Sequence, residues 1–137
     1  MSKETIIYED VNLVSTYYHD KKYFLNYWTG KELLNDEGFT TSMMGMAKEV
    51  HQYDGKGILI DTRKFDFPIS PEIQSWYDTE IVPLHVDAGI KKMAFLLPEE
   101  FVSKISISQT MQEEQAQSLQ KTKYFGSSEE AEEWLLS

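Results

Sequence analysis

Apolar and polar positions change period along this chain, and the change marks out its elements. The first thirty residues hold three short runs, "TIIYED", "NLVSTYYHD" and "KYFLNYWTG", rich in β-branched and aromatic residues and separated by polar pairs. Such runs predict strands, and "HDKK" (His19 to Lys22) predicts the turn between the second and third. In the third run Tyr23, Leu25 and Tyr27 fall on one side of a strand and Phe24, Asn26 and Trp28 on the other. Neither side is cleanly polar, which predicts a strand covered on both faces. "KELLNDEGF" then reads as a polar connection. "TTSMMGMAKEVHQYDG" reads as a helix, with Phe39, Met43, Met46 or Ala47, and Val50 at helical spacing. Thr40 or Thr41 is the expected cap, and Asp54-Gly55 the expected stop.

"KGILID" is a short apolar run with the character of a central strand. "SPEIQSWYDTEIVPLHVDAG" follows as a helix whose buried stripe is Ile73, Trp76 or Tyr77, and Ile81. Pro83 is expected to break or kink it between Asp78 and Val82, because proline lacks an N–H and clashes one turn back. "IKKMAFLLP" predicts a strand, "EEFVSKISISQTMQEEQAQ" a helix in two pieces, "KTKYF" a strand, and "SSEEAEEWLLS" a closing helix. That last helix has a capping-box pair, Ser127 and Glu130, and an apolar face of Ala131, Trp134 and Leu135. Strands joined by tight turns pair antiparallel, and strands joined by helices pair parallel. The expected fold class is α/β: a single mixed β-sheet, antiparallel at its N-terminal strands and parallel in its later β-α units, with packed helices. The 137 residues form one expected domain, 1–137.

Composition narrows the function classes. Hydrophobic residues at 41% and charged residues at 26% describe a packing chain, not a disordered one. The chain has no cysteine, which removes disulfides, thiolate metal sites and cysteine nucleophiles. Its net charge is −10, and Arg63 is its single arginine. Nucleic-acid binding draws on clustered Lys and Arg, and no such cluster occurs, so no nucleic-acid partner is expected. An acidic chain is repelled by anionic membrane surfaces, and its longest apolar runs, such as "MAFLL", are too short to span a bilayer, so membrane insertion is not expected. The N-terminal "MSKETIIYEDV" lacks a basic region followed by an apolar run, and the expected location is cytoplasmic.

The stretches "ILIDTRKF…ISPEIQSW", "VPLHVDAGIKKMAFLLPEEF" and "YFGSSEEAEEWL" resemble a family of small bacterial proteins with an anti-sigma-factor-antagonist-like (STAS-like, SpoIIAA-like) fold. The resemblance implies a mixed sheet with interspersed helices and a regulatory, protein-binding role. In true anti-sigma antagonists a loop after the central strand carries Asp-Ser-Ser-Gly, and a partner kinase phosphorylates one serine. Carried over by position, Asp61 matches the strand-end aspartate and Ser70 a loop serine. The remaining loop positions depart from that signature, with Ile69, Pro71 and Glu72 in place of Asp, Ser and Gly. The same broad fold is similar to the lipid-binding CRAL-TRIO domain, which implies the alternative of a small-molecule or lipid carrier with an apolar ligand.

Three residues form the candidate interaction or phosphorylation edge: Asp61, Arg63 and Ser70. Asp61 and Arg63 lie two apart at the carboxyl end of a central strand, where open α/β sheets bind ligands, and can pair. Ser70 precedes Pro71 and Glu72, the pattern of a helix start: serine caps, proline needs no donor, and glutamate suits the positive end of the helix dipole. A phosphate would be favoured at the same spot. No catalytic residue, metal ligand set or cofactor motif stands out. His19, His51 and His85 are scattered, no Gly-rich phosphate loop or nucleophile elbow occurs, and the adjacent "EE" pairs diverge on helices. Among Met43, Met44 and Met46 at least one is expected to face outward, and Trp76 and Trp134 are expected core anchors. The reading from sequence is a non-enzymatic regulatory or protein-interaction domain.

Overall fold

The computed structural model describes residues 3–29, 35–64, 70–97 and 121–137. Among these residues six strands form one sheet in sequential order: β1 (Glu4–Glu9), β2 (Leu13–Tyr18), β3 (Tyr23–Trp28), β4 (Gly57–Asp61), β5 (Lys92–Leu96) and β6 (Lys121–Phe125). β1, β2 and β3 pair antiparallel, and β3 to β6 pair parallel. The expected mixed sheet is therefore observed. The predicted two-piece helix over 99–117 lies outside the described residues, as do Pro98 and the segment 65–69.

Side chains directly opposite one another share a face, so the register defines two surfaces. On the first lie Leu13, Tyr17, Phe24, Ile58, Ile60 and Met93, packed under Phe39, Met43, Met46, Val50, Ile73 and Ile81 from the intervening helices. On the second, Tyr23, Leu59, Ala94, Leu96 and Phe125 pack beneath Ala131 of the last helix. β4 is buried at every residue because it lies between both layers.

The helices depart from the sequence pattern at their ends. α1 runs Asp36–Ala47, starting about a turn before Thr40. Asn35 caps it, with its Oδ1 accepting from Gly38 N at 2.7 Å. The segment expected to be a polar connection thus holds the first turn, whose Asp36 and Glu37 suit the helix dipole. α1 also stops before Asp54-Gly55. A short 3₁₀ turn, Val50–Gln52, completes the passage and buries Val50.

Around Pro83 the helix continues without a break, but its α-helical run is interrupted by a π turn in the segment where the break or kink was expected. α2 (Pro71–Trp76) passes through a π-helical turn (Tyr77–Ile81) into α3 (Val82–Asp87). The wider turn absorbs the backbone conflict that proline creates one turn upstream. It also keeps Ile73, Tyr77, Ile81 and His85, spaced by four, on one inward side. In an uninterrupted α-helix of about 3.6 residues per turn that spacing would drift around the axis. α4 (Ser128–Leu136) begins as expected, with Ser127 Oγ accepting from Glu130 N at 3.5 Å.

Burial corrects three further expectations. β3 is not sealed on both sides, since Leu25 and Tyr27 are half-buried on the second face. Met43 and Met46 are buried, and Met44 is partly buried against the same core. Trp76 and Trp134 are likewise partly buried at the margins of their clusters.

A carboxylate ties the antiparallel strands to α1. Asp10 accepts from the backbone of Asn12 and Leu13 at 2.8 Å each, from Ser42 Oγ at 2.7 Å and from the Tyr8 hydroxyl. Burial pushes the Asp10 carboxyl up, but these bonds outweigh it and hold it below its ordinary value. Burial, then the Asp10 bond and charge, push Tyr8 up to about 12. The Tyr8 ring lies across Gly45 of α1, where an added Cβ would sit 2.3 Å from the ring, so α1 carries a glycine at that contact. Asp10→Ala strands a buried serine hydroxyl and two backbone donors, so the expected loss is roughly 3 kcal/mol, read as a lower midpoint in urea unfolding. A lowered carboxyl pKa contributes stability that is complete above the unfolded value and is lost as pH falls through the folded one. The wild type should therefore lose more stability than Asp10→Ala on acidification below about pH 4.

Candidate functional site

β4 is short, apolar and dry, and its last residue is a carboxylate. Asp61 is 6% exposed, on the second face, directly beside Tyr27 of β3 and Leu96 of β5. A buried carboxylate needs a partner of opposite charge or several donors. Arg63 supplies both. Its Nε donates to Asp61 Oδ1 at 3.1 Å and its Nη2 to Oδ2 at 2.9 Å, and its backbone N–H also donates to Oδ1 at 3.1 Å. Thr62 is drawn toward β5, donating from both N and Oγ1 to Leu96 O.

The two-residue spacing thus produces the expected pair, in a planar fork geometry that lysine cannot reproduce. The burial is one-sided. The Asp61 side chain is 8% exposed and the Arg63 side chain 51%. The bond to Asp61 raises the Arg63 pKa further, so the guanidinium stays charged. Its outer edge faces solvent at the carboxyl end of the parallel strands, the only guanidinium on a strongly acidic chain. The pair itself contributes about 1 kcal/mol to stability, near the upper end for a partly exposed ion pair.

Ser70 caps α2. Its Oγ accepts from Ile73 N at 3.2 Å, and Pro71 and Glu72 occupy the first turn. Among the described residues no hydrogen bond or ion pair joins Ser70 to Asp61 or Arg63. The structure thus brings two of the three predicted residues together and leaves the third as a helix start. Ser70→Ala is expected to cost about 1 kcal/mol in denaturant unfolding, with Ser70→Asp, another capping residue, recovering most of it.

His85 is a feature that spacing alone did not expose. It is fully buried in α3, and among the described residues neither ring nitrogen has a hydrogen-bond partner. The Tyr77 ring meets it edge-on, 6.5 Å between centroids, and the Tyr77 hydroxyl reaches Met93 Sδ at 3.6 Å. These groups belong to the helix-covered face, opposite Asp61. Burial pushes His85 down to about 4 from 6.5, so it is neutral at physiological pH. The signal in the sequence was its place four residues after Ile81, at the end of the inward stripe. Among the described residues no cluster of histidine, aspartate or glutamate could hold a metal ion.

No family model matches the chain, and neither any curated protein nor any solved structure does. No described helix is long and apolar enough to cross a membrane.

The unfolded chain binds a proton at His85 that the folded one refuses between pH 6.5 and about 4. Stability is therefore complete above the unfolded value and falls as pH drops through that window, by roughly 3 kcal/mol. His85→Leu removes two unpaired nitrogens and this titration together. The variant is expected to be more stable than the wild type at pH 7 by about 1 kcal/mol or more. Its stability should also stay flatter between pH 6.5 and 4.5, as read by thermal melts across the range.

Proposed function

We propose that this chain is a non-enzymatic regulatory domain that docks a protein partner through the carboxyl end of β4, as its STAS-like resemblance implies. The observation that carries the reading is the half-exposed Arg63 guanidinium held in a fixed orientation by buried Asp61. Fixing the side chain in advance removes much of the entropic cost of binding. The free edge suits a carboxylate or phosphate on the partner, which guanidinium recognises in a directed way. Both Asp61 oxygens are already occupied by Arg63, so the pair is better built to present a cation than to move a proton. Ser70 starts the helix that follows this edge, where a phosphate would add negative charge.

The alternative, a carrier for a small apolar ligand, rests on the CRAL-TRIO resemblance alone.

Arg63→Lys keeps the charge beside Asp61 and removes the planar fork. The tagged protein, cross-linked in lysate of its source cells, should recover an Arg63-dependent partner. Recovery by the variant should fall roughly tenfold, a loss of ~1.4 kcal/mol. Its melting temperature should stay close to that of the wild type. Equal recovery by both proteins rules the docking edge out. Native mass spectrometry of the isolated protein separates the readings further, since a co-purifying lipid or metabolite supports the carrier instead.

A further inference from the structure

The second face of the sheet is unevenly covered. α4 packs over β4, β5 and β6. Over β1 to β3 the same face carries Ile6, Val14, Thr16, Leu25 and Tyr27. Ile6 is 56% exposed and the other four are half-buried. This is a patch of uncharged side chains three strands wide. Among the described residues its charged groups stand at the rim: Glu4 and Glu9 along β1, Arg63 beyond Tyr27, and at the opposite end the Lys21–Glu132 ion pair beside Tyr23, which is neutral as a pair.

We propose that this face, which no described helix covers, is the contact for a second copy of the chain, sheet against sheet, around a two-fold axis parallel to the strands and centred on β2. The inference deepens the docking reading of the Arg63 edge and rests on it. The axis direction follows from charge. Glu9 and Arg63 lie at the same end of the sheet, since β1 runs parallel to β3 and β4. A strand-parallel axis preserves the ends and exchanges the sides, so it carries Glu9 of each copy toward Arg63 of the other. An axis across the strands would lay β1 on β1 with ends reversed, setting Glu9 against Glu4, and like charges oppose that arrangement.

Packing agrees with the choice. The strand-parallel axis stacks Val14 and Thr16 on their own counterparts and Ile6 on Leu25 of the other copy. Packed sheets lie about 10 Å apart, close to the thickness of a helix, so α4 becomes a side wall for the incoming β1. Three strands about 5 Å apart and about 20 Å long offer a footprint of roughly 300 Å². Stable complexes use about 800 Å² per partner, so the association is weak and depends on concentration.

Sedimentation velocity from about 10 μM to about 1 mM, the range of weak specific association, tests it. The expected result is a monomer that becomes a dimer within this range. Thr16→Arg should hold the chain monomeric throughout, and Glu9→Lys, at an exposed position, should weaken the dimer about tenfold at low salt. Far-UV circular dichroism should show both variants folded. A chain that stays monomeric at the highest concentration overturns the dimer. If that monomer still captures another protein through Arg63, the docking reading stands and the dimer alone fails. A dimer indifferent to both substitutions also overturns the arrangement.

Discussion

Strand β4 must be dry on both faces, and the rest of the molecule is arranged around that requirement. A buried parallel strand needs a layer above and a layer below. The first face has α1, the 3₁₀ turn, α2 and α3 to cover it. Among the described residues the second face has α4, nine residues long. A helix of that length is roughly 13 Å long and about 10 Å across, enough for two or three strands about 5 Å apart. Placed over β4 to β6, it leaves the second face of β1 to β3 without a covering helix among the described residues, with Ile6 exposed there.

The same geometry explains what the sequence could reveal. Strand and helix existence was legible because each rests on local periodicity. The sheet's mixed pairing was legible because linker length decides it. Helix ends were less so: Asn35 and Thr40 are both good caps, and the choice between them depends on how α1 meets Tyr8 and Asp10. The covering of β3 was misjudged for a related reason. Tyr23, Leu25 and Tyr27 look alike in sequence, yet only Tyr23 lies near enough to α4 to be sealed, with its hydroxyl facing Glu132. At the site, Asp61 and Arg63 were legible because two residues apart in extended chain means one side. The tie was invisible between Asp10 and Ser42, thirty-two residues apart.

His85 and Pro83 share one explanation. A proline inside a helix usually ends it, and here a π turn immediately before it takes up the strain. The wider turn aligns four positions at four-residue spacing, and the last of them is a histidine. With the helix continuing across Pro83, His85 falls on the inward side, where its ring finds no partner among the described residues. Keeping the ring neutral limits the cost, which grows as pH falls. Such groups are retained where something other than stability selects them, or where the neighbouring geometry leaves no alternative. The stripe fixes where residue 85 points, not that it must be histidine, so stability does not account for the choice of residue.

Asp61 and Arg63 obey the opposite logic. A carboxylate at the end of a dry strand would be costly alone, and Arg63 offsets that cost from the solvent side. Satisfying Asp61 uses one edge of the guanidinium and leaves the other outward, in an orientation no isolated surface arginine would keep. Burial at the strand end thus produces a presented cation as a by-product of folding. Across the open sheet from it stands Glu9, exposed and on the same face. With an apolar strip between opposite charges, a symmetric copy can satisfy both ends at once, which an unrelated flat surface would match only by chance.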